Sequence, residues 1–399
     1  MTENDKSHDI LKRLSSGYNL PSLSPITVRL IELASDDRSS VIELTELIEK
    51  DPSLAIRVLK LANSAFFRPS FPVTTLRQAI MRIGFHQLRV LALSLSIKDT
   101  FPMGKVGTMD YGQFWKVSLY RGLLARSLAS ELKTSEPDEA FFAGLTLEIG
   151  FLILYDLFIK GTGNIIDPGI YPLENLLEDE QRHYGINHRE IGVIALRYWK
   201  FPEHIIECQS FYGKEAQSNQ TLLLPTICRI AGKLSALICY AKAGFQEVCD
   251  LVVTKYGLKS HALYEALVRS LEEVEDIAES LDVQVARDKD MLALMEKANH
   301  ALGELSQQII TGQKTSCSED LPSFDTLRNQ GKNTDDVKFT LQAIAHEIRN
   351  PLTIVGGFVR RLARSIDPTS DKWQYMEIIL KETKRLEQVL QEATQTQHG

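Results

Sequence analysis

Apolar residues recur at intervals of three and four along most of the chain, which is the spacing of one face of an α-helix. Two early examples are Val41, Leu44, Leu47 and Ile48, and then Leu54, Val58, Leu61 and Ala62. Between them, Asp51 and Pro52 mark a helix start, because Asp is a good N-cap and proline loses nothing at the first helical position. No run alternates with period two for long enough to require a sheet. The pattern therefore predicts an all-α protein.

A second pattern, in which positions of mostly apolar character advance by strict four-three steps, begins at Leu267 and continues to Ile309. Such a repeat is typical of a coiled-coil seam or of one long helix packed on a neighbour. Before about Asp288 it also suits the last helices of a globular domain, so both interpretations stay open there. For residues 291–309 we expect a connecting helix. The polar residues 311–336 that follow are interpreted as a flexible linker.

The four-three spacing returns beyond residue 337 in two sets that are separated by a polar turn. The first set runs from Leu341 to Leu362, and the second runs from Ile379 to Ala393. Two amphipathic helices joined in this way form an antiparallel hairpin. Because a hairpin cannot bury both apolar stripes by itself, we expect two copies to pair as a symmetric dimer that completes a four-helix bundle.

Composition and charge narrow the classes of function. The 399 residues include 45 Lys and Arg against 52 Asp and Glu, a formal net charge of -7, so no overall positive field attracts nucleic-acid phosphates. The most apolar stretch, residues 149–155, is about a third of the roughly 20 residues that a membrane helix requires. The 5 cysteines include no C-x-x-C pair and suggest structural thiols in a reducing compartment. We therefore expect a cytoplasmic protein with no nucleic-acid or membrane partner and no secretory signal.

Candidate chemistry lies in the first helix of the predicted hairpin. His346 follows the apolar position Ala345, so its ring is expected on the accessible flank of the bundle. A neutral imidazole there has a lone pair that can attack a phosphorus centre. Glu347 could orient the ring or take its proton, and Asn350, one helical turn on, has an amide that can position a water. Pro351 removes a backbone hydrogen bond and loosens the helix just after the histidine.

The seven residues HEIRNPL, from His346 to Leu352, resemble the H-box of sensor histidine kinases, which lies in their dimerisation and phosphoacceptor hairpin. The resemblance covers about residues 337–397. It implies that His346 is the phosphoacceptor, with Glu347 and Asn350 in the family's acid/base and phosphatase positions.

One departure from that family concerns the source of the phosphoryl group. In histidine kinases an ATP-binding domain follows the hairpin, and none is recognised before Gly399. The only G-x-G, at residues 161–163, lacks the rest of a nucleotide fingerprint and suits an inter-helical turn. The expected partners are therefore a response regulator, a histidine kinase ATP-binding domain acting in trans, or both, besides a second copy of the chain. A truncated piece of a complete kinase is an alternative.

The larger first part of the chain, from about residue 20 to residue 285, resembles the HDOD domain, a helical relative of HD-type metal-dependent phosphohydrolases. The likeness depends on the order and spacing of several stretches, among them LPSLSPITVRLIELA, LRQAIMRIGFHQLRVLALS, AFFAGLTLEIG and YGINHREIGVIALRYWKFP. It implies a helical domain with a sensory or protein-interaction role.

An HD phosphohydrolase holds one or two divalent metals with His and Asp side chains, and the resemblance locates each ligand position. Val117 stands at the position of the first His, and Leu147 with Glu148 stands at that of the His-Asp pair. The later His pair falls near residues 208–210, and the final Asp falls near Gly232. His188 is the one clear survivor, and one His with one Glu is too few for a catalytic metal. We therefore expect no metal and no cofactor, and we interpret His188 and Glu148 as polar side chains hydrogen-bonded inside the domain.

The predicted organisation has five parts. They are a polar tail at residues 1–18, the HDOD domain at 19–287, a helical connector at 288–310, the flexible linker at 311–336 and the phosphoacceptor and dimerisation hairpin at 337–399. The predicted function is signal transduction of the two-component type. Two alternatives stay open, namely a retained HD phosphohydrolase acting on nucleotides or cyclic dinucleotides and a non-catalytic dimeric scaffold.

Overall fold

A computed structural model gives the structure of this protein. It describes residues 20–34, 40–64, 71–133, 135–160, 173–210, 224–240, 251–286 and 289–290, together with residues 14, 67, 244, 248, 249, 381 and 384. The chain divides into two units, the first formed by residues 1–240 and 269–287 and the second by residues 241–268 and 288–399. The predicted linker and nearly all of the predicted hairpin lie outside the described residues.

Most of the described residues are helical and very few lie in strands, which confirms the all-α prediction for this part of the chain. The helices are α1 Pro25–Ala34, α2 Val41–Glu49, α3 Pro52–Ala62, α4 Leu76–Ile83, α5 Phe85–Asp99, α6 Tyr111–Leu132, α7 Pro137–Thr146, α8 Ile149–Leu154, α9 Leu173–Tyr184, α10 His188–Tyr198, α11 Glu203–Ser210, α12 Leu224–Cys239 and α13 Ser260–Ser280. Two π-helical turns occupy Tyr155–Ile159 and Leu251–Lys255. Two antiparallel strands, β1 Lys105–Val106 and β2 Met109–Asp110, add a small hairpin.

Side-chain caps fix where several helices begin. Asp51 is the N-cap of α3, as predicted, and its carboxylate accepts a 3.0 Å hydrogen bond from a first-turn N–H, with Pro52 at the helix start. Asn187 caps α10 in the same way, in a capping box that Glu190 completes. Each cap satisfies a backbone N–H that has no partner within its helix. The cap at Asn187 also sets the position of His188, the next residue.

The early helices bury most of the apolar residues in the predicted repeats. The buried members are Leu44, Leu47 and Ile48 in α2, and Leu54, Val58, Leu61 and Ala62 in α3. Val41, however, is 42% exposed, because it opens α2 directly after the N-cap residue Ser40. The apolar repeat therefore overstates the core at this end of α2.

The core of the first unit is built around α6, which is buried along most of its 22 residues. This helix packs against α7 and α12. The backbones of α6 and α7 approach closely at two glycines. A Cβ at Gly122 would lie 2.9 Å from the Phe141 carbonyl oxygen, and one at Gly144 would lie 2.9 Å from the Arg121 carbonyl oxygen. A helix that is apolar on nearly every side is typical of the centre of a domain.

The small β-hairpin before α6 was not predicted from the sequence. Its turn is held by Tyr155, whose hydroxyl donates to the Val106 carbonyl oxygen at 3.1 Å and accepts a 3.2 Å hydrogen bond from the Thr108 N–H. Gly107 has a left-handed φ of 62°, and a Cβ there would lie 2.8 Å from the Tyr155 hydroxyl oxygen. Strands of two residues contain too few positions to show a period-two pattern.

The four-three repeat that starts at Leu267 does not continue as one helix to its end. Helix α13 stops at Ser280, and Asp282 has a left-handed backbone with a φ of 52°. The Val283 N–H then donates to the Ala278 carbonyl oxygen at 2.9 Å, which closes the helix end. The first part of the repeat therefore lies in a helix that ends at Ser280, and the two interpretations of the repeat stay predictions. The part beyond residue 290 lies outside the described residues.

One helical stretch in the described part of the chain is long and apolar enough to cross a membrane. It is Pro137–Ile159, which comprises α7, α8 and the π-helical turn after them. Of its most apolar window, 78% is buried inside the structure, as is usual for a core helix. Helices α4 and α5 pass the same test only as a pair, and that pair is bent by 114°. These findings are weak evidence for a membrane span.

The tightest helix contact that involves a glycine lies where α8 meets α10. A Cβ on Gly150 would lie 1.9 Å from the His188 carbonyl oxygen and 2.5 Å from the Gly192 nitrogen. Neither backbone atom can move without moving its helix. We therefore expect Gly150→Ala to lower the free energy of unfolding by about 3 kcal/mol, seen as a lower thermal midpoint in circular dichroism.

Gly232→Ala, in the interior of α12, is the matched control for that prediction. A Cβ at Gly232 would have its nearest neighbour, Cδ of Arg121, at 3.9 Å, which is an ordinary van der Waals distance. Since alanine is the better helix former, this change should raise stability by about 0.5–1 kcal/mol. Equal thermal midpoints for the two variants would contradict the close packing of α8 on α10.

Candidate functional site

The candidate residues from the sequence fall in two parts of the chain. His346, Glu347 and Asn350 lie outside the described residues, so their roles stay predictions. His188 and Glu148 lie in the first unit and are hydrogen-bonded to each other. Around them the structure places three further charged side chains that the sequence analysis did not single out. The resulting buried ion cluster consists of Arg121, Glu148, Glu180, His188 and Arg189.

His188 is the centre of the buried ion cluster, and its side chain is 1% exposed. Its Nδ1 lies 2.6 Å from Oε2 of Glu180, at the end of α9. Its Nε2 lies 2.7 Å from Oε2 of Glu148, at the start of α8. Its backbone N–H also donates to Oε2 of Glu180 at 2.9 Å. An imidazole with a carboxylate at each nitrogen can donate to both only when it carries two protons.

The electrostatics of the cluster agree with a protonated ring. Burial disfavours the charged imidazole, but the negative charge of Glu180 and hydrogen bonds to Glu148 and Glu180 outweigh it and raise the pKa of His188 to about 9. For Glu148, burial disfavours the carboxylate, but the charge of Arg189 and the hydrogen bond from His188 outweigh it and lower its pKa to about 2. At neutral pH the histidine is therefore an imidazolium and Glu148 is a carboxylate.

Arg189 forms hydrogen bonds with the second oxygen of Glu148 and with the backbone of helix α11. Its Nη2 donates to Oε1 of Glu148 at 2.7 Å, and its Nη1 donates to the Cys208 carbonyl oxygen at 3.1 Å. Glu148 is thus held by His188 on one oxygen and by Arg189 on the other. The Nε of Arg189 is buried without a hydrogen-bond partner among the described residues. Sequence reasoning missed Arg189, although its position beside His188 was a signal.

Arg121 lies inside the domain, where it is 4% exposed. Its Nε donates to the Gly144 carbonyl oxygen at 2.6 Å, and its Nη2 donates to the Ser118 hydroxyl oxygen at 3.0 Å. Burial lowers the pKa of Arg121, and the negative charge of Glu148 opposes that effect. An arginine this deep in a core is rare unless something compensates its charge. It lies in the middle of an apolar helix pattern, so only its mismatch with that pattern could have revealed it.

Several positions that the resemblance assigns to metal ligands of HD phosphohydrolases carry groups unsuited to bind a metal. Val117 and Leu147 are buried apolar side chains. Gln209 is fully buried, and its Nε2 donates to a carbonyl oxygen of α7 at 3.0 Å, while its Oε1 has no partner among the described residues. Gly232 has no side chain, and Cδ of Arg121 lies 3.9 Å from the point where a Cβ on Gly232 would be. Apolar or neutral groups therefore replace most of the family's charged ligands.

These residues do not fit a catalytic metal. In the part of the chain that the structure describes, no three His, Cys, Asp or Glu side chains are grouped so as to hold an ion. Both ring nitrogens of His188 and both oxygens of Glu148 are already engaged. A catalytic zinc normally has three protein ligands and an open position for water. The geometry therefore gives no support to the alternative of a retained phosphohydrolase, and the expected lack of metal stays a prediction.

Other described histidines serve ordinary structural contacts. His183 is exposed, and its Nδ1 lies 2.7 Å from the Asp179 carbonyl oxygen. His204 is half exposed and lies 3.4 Å from Oε2 of Glu139. None of the four described cysteines forms a disulfide, which agrees with the interpretation as structural thiols.

The buried ion cluster predicts how stability depends on pH. The folded-state pKa of His188, about 9, exceeds the unfolded value of 6.5, so its contribution is complete below pH 6.5 and is lost as pH rises through 9. The folded-state pKa of Glu148, about 2, lies below the unfolded value of 4.5, so its contribution is present above pH 4.5 and is lost as pH falls through 2. We expect the largest contribution of the cluster between pH 4.5 and 6.5, measured as the thermal midpoint across pH.

The variant His188→Gln tests the part of this profile in which the thermal midpoint declines above pH 6.5. Glutamine cannot be protonated, so the decline in midpoint between pH 6.5 and 9 should become shallower than in the parent chain. The exposed histidine variant His183→Gln should keep the parent profile. An unchanged decline above pH 6.5 in His188→Gln would show that the imidazole is not charged in the folded state.

In its fold the chain is similar to helical proteins of known structure. The "Putative phosphohydrolase" of Shewanella amazonensis SB2B matches with a TM-score of 0.53 at 22% identity, over 68% of this chain and 96% of that protein. The "Putative signal transduction protein" of Marinobacter aquaeolei VT8 matches with a TM-score of 0.52 at 19% identity, over 70% of this chain and 65% of that protein. At such identities the likeness establishes the fold alone.

A curated relative is the "Uncharacterized protein YuxH" of Bacillus subtilis strain 168. The two sequences are 31% identical over 147 residues, which is 37% of this chain and 34% of the relative. The chain therefore spans about a third of the length of that protein.

Family models match the chain at two places. The HDOD domain matches residues 20–214, which include the whole buried ion cluster, and the His Kinase A (phospho-acceptor) domain matches residues 338–396, which include His346. Both resemblances seen in the sequence are thereby confirmed. A phospho-acceptor domain of this kind implies dimerisation and two-component partners in general. The chain is thus a signalling protein that carries an HDOD domain followed by a His Kinase A phospho-acceptor domain.

Proposed function

We propose that this protein works in a two-component phosphorelay, in which the HDOD domain senses a signal or binds a partner and the hairpin handles the phosphoryl group. The observation that carries the proposal is the seven-residue sequence HEIRNPL at residues 346–352, inside the range that the phospho-acceptor model matches. The four-three spacing around it predicts a helix in which the histidine lies beside the apolar seam. Position and residue type together favour a phosphoacceptor over an ordinary surface histidine.

His346 is proposed to be the nucleophile. A ring nitrogen attacks the phosphorus atom, and an N–P bond forms while the bond from phosphorus to the leaving oxygen breaks. Glu347 is proposed to take the proton that the ring loses or to orient the ring. Asn350, at i+4, is proposed to position a water that removes the phosphoryl group from a bound response regulator. These three assignments rest on the sequence motif.

The phosphoryl donor is proposed to be another molecule. Phosphoryl transfer from ATP needs metal and basic groups arranged around the nucleotide, and no nucleotide fingerprint is recognised in the sequence. The donor is thus a histidine kinase ATP-binding domain acting in trans or a phosphorylated response regulator. The protein is proposed to act in the cytoplasm, with neither nucleic acid nor a membrane as a partner.

The HDOD domain is proposed to contribute binding rather than catalysis. Its centre is occupied by the buried ion cluster, in which the polar atoms of His188 and Glu148 bind other side chains. A domain with a closed, charged centre can still offer its surface to a partner. In this proposal the HDOD domain is the input part of the protein, and the hairpin is both its dimerisation part and its output part.

The first prediction of the proposal concerns labelling of His346. Incubation of the purified chain with labelled ATP and Mg²⁺ should leave it unlabelled, because no nucleotide site is proposed within it. Addition of a cognate kinase domain or a phosphorylated response regulator should label it, and the label should be acid-labile, as phosphohistidine is. His346→Gln should remove all of the label, measured by autoradiography after gel electrophoresis.

His183→Gln, which changes an exposed histidine of the HDOD domain, is the control and should be labelled like the parent chain. Asn350→Ala should keep the label but slow the water-dependent dephosphorylation of a bound response regulator. Strong labelling by ATP alone would contradict the proposal that another protein donates the phosphoryl group. A lack of label with every cognate partner would instead favour the dimeric scaffold.

The second prediction of the proposal concerns the dimer. Leu352→Asp together with Leu386→Asp places charges on both predicted apolar stripes of residues 337–397, so the chain should become monomeric in light scattering. Val41→Asp, at an apolar residue that is already 42% exposed in the HDOD domain, is the control and should leave the dimer intact. If the doubly charged hairpin still dimerises, another part of the chain is the dimerisation surface.

A further inference from the structure

Arg121 lies among positions that hold metal ligands in HD phosphohydrolases. It follows Val117, the position of the first His, by one helical turn of α6. Its Cδ lies 3.9 Å from the point where a Cβ on Gly232, near the expected position of the final Asp, would be. Its Nε is anchored on the Gly144 carbonyl oxygen at 2.6 Å, so the guanidinium is held in place. A fixed positive charge therefore lies beside two of the family's vacant ligand positions.

Arg189 contacts residues at or near the other expected ligand positions. Its Nη2 donates to Glu148, which stands in the position of the His-Asp pair, at 2.7 Å. Its Nη1 donates to the backbone of Cys208, near the position of the later His pair, at 3.1 Å. Its side chain is 3% exposed, so both hydrogen bonds are shielded from water. The second guanidinium thus connects the remaining two groups of ligand positions.

The charges of the buried ion cluster can be summed from these contacts. Glu148 and Glu180 supply two negative charges, and the imidazole between them is protonated when it donates to both. The two guanidinium groups add two positive charges, so the cluster carries three positive charges against two negative charges. Two carboxylates in a desolvated centre require such compensation, because an unpaired buried charge is very costly.

We infer that the guanidinium groups of Arg121 and Arg189 take the place of the divalent metal, so that the centre of this HDOD domain is closed by its own side chains and excludes the ion. A metal ion would have to displace hydrogen bonds on both oxygens of Glu148 and would stand close to two like charges. It would find no third ligand in exchange among the described residues. The inference does not depend on the phosphorelay proposed for the hairpin.

The inference has a structural consequence. In a metal enzyme the ion joins the helices that carry its ligands, and it can be removed by a chelator. Here hydrogen bonds from Arg121 and Arg189 connect α6 to α7, and α10 to the start of α8 and to α11. These connections cannot be removed by a chelator, so the domain should be equally stable with and without divalent ions.

The first experiment measures metal in the full-length parent chain. Protein purified without chelator should contain less than one tenth of an equivalent of Mn, Fe or Zn by plasma mass spectrometry. Its thermal midpoint should move by less than about 1 °C on addition of EDTA or of Mn²⁺. Stoichiometric metal, or a midpoint that EDTA lowers and Mn²⁺ restores, would overturn the inference whatever the variants do.

The second experiment tests the charges of the two arginines. Arg189→Met and Arg121→Met keep much of the side-chain volume but remove the charge, and each should lower the thermal midpoint by roughly 10 °C. Arg197→Met is the matched control, because Arg197 lies on the same helix as Arg189 but pairs with Glu203 at the surface, with both side chains more than half exposed. That control should move the midpoint by less than about 2 °C.

A third variant separates charge from packing. Glu148→Gln in the Arg189→Met background removes the carboxylate that the first change leaves uncompensated. The thermal midpoint of the double variant should therefore fall by less than the sum of the decreases in the two single variants. Additive losses, or an Arg189→Met variant no less stable than Arg197→Met, would mean that the arginines only fill space. If the Arg variants do not fold, the metal measurements on the parent chain still decide the matter.

Discussion

A histidine ring buried between two carboxylates is the constraint on which much of the first unit depends. His188 must meet Glu180 and Glu148 at hydrogen-bonding distance at the same time, and the three residues come from different helices. If either carboxylate moved away, a charge would remain in the core without compensation. The ends of α8, α9 and α10 are therefore fixed relative to one another more strictly than apolar packing alone requires.

This constraint explains the glycines around it. Helix α8 begins directly after Glu148, and its second residue is Gly150, which touches the His188 backbone. A side chain at this position would push α10 away and lengthen the hydrogen bond between Glu148 and His188. Gly192, one turn further along α10, leaves space that Gln209 fills. The close approach of backbones and the short hydrogen bonds of the cluster are thus two aspects of one arrangement.

The parts of the fold that sequence reasoning predicted are those with a local cause. Asp51 and Pro52 have a preference for the first turn of a helix that needs no partner elsewhere, and the cap is found where it was predicted. The interpretation of His188 and Glu148 as hydrogen-bonded side chains inside the domain agrees with the structure, in which they bond to each other. Arg121 and Arg189 were missed, since their contacts with Gly144 and Glu148 join segments far apart in the chain. Glu180 was missed although it precedes His188 by only eight residues. The end of α13 at Ser280 was not predicted, because the apolar repeat continues past it.

The π-helical turn at Tyr155–Ile159 has a consequence for insertions and deletions. Its backbone bond runs from the Lys160 N–H to the Tyr155 carbonyl oxygen at 2.9 Å, five residues back, so the helix contains one more residue in that turn than an α-helix would. Deletion of one residue within this turn would restore α-helical geometry and leave the residues on either side close to their present orientation, because the wider turn accommodates the extra residue. The helix itself would tolerate such a loss. The Tyr155 hydroxyl binds the turn between β1 and β2, so a deletion that displaced Tyr155 itself would also remove the contact that holds a hairpin nearly 50 residues earlier in the chain.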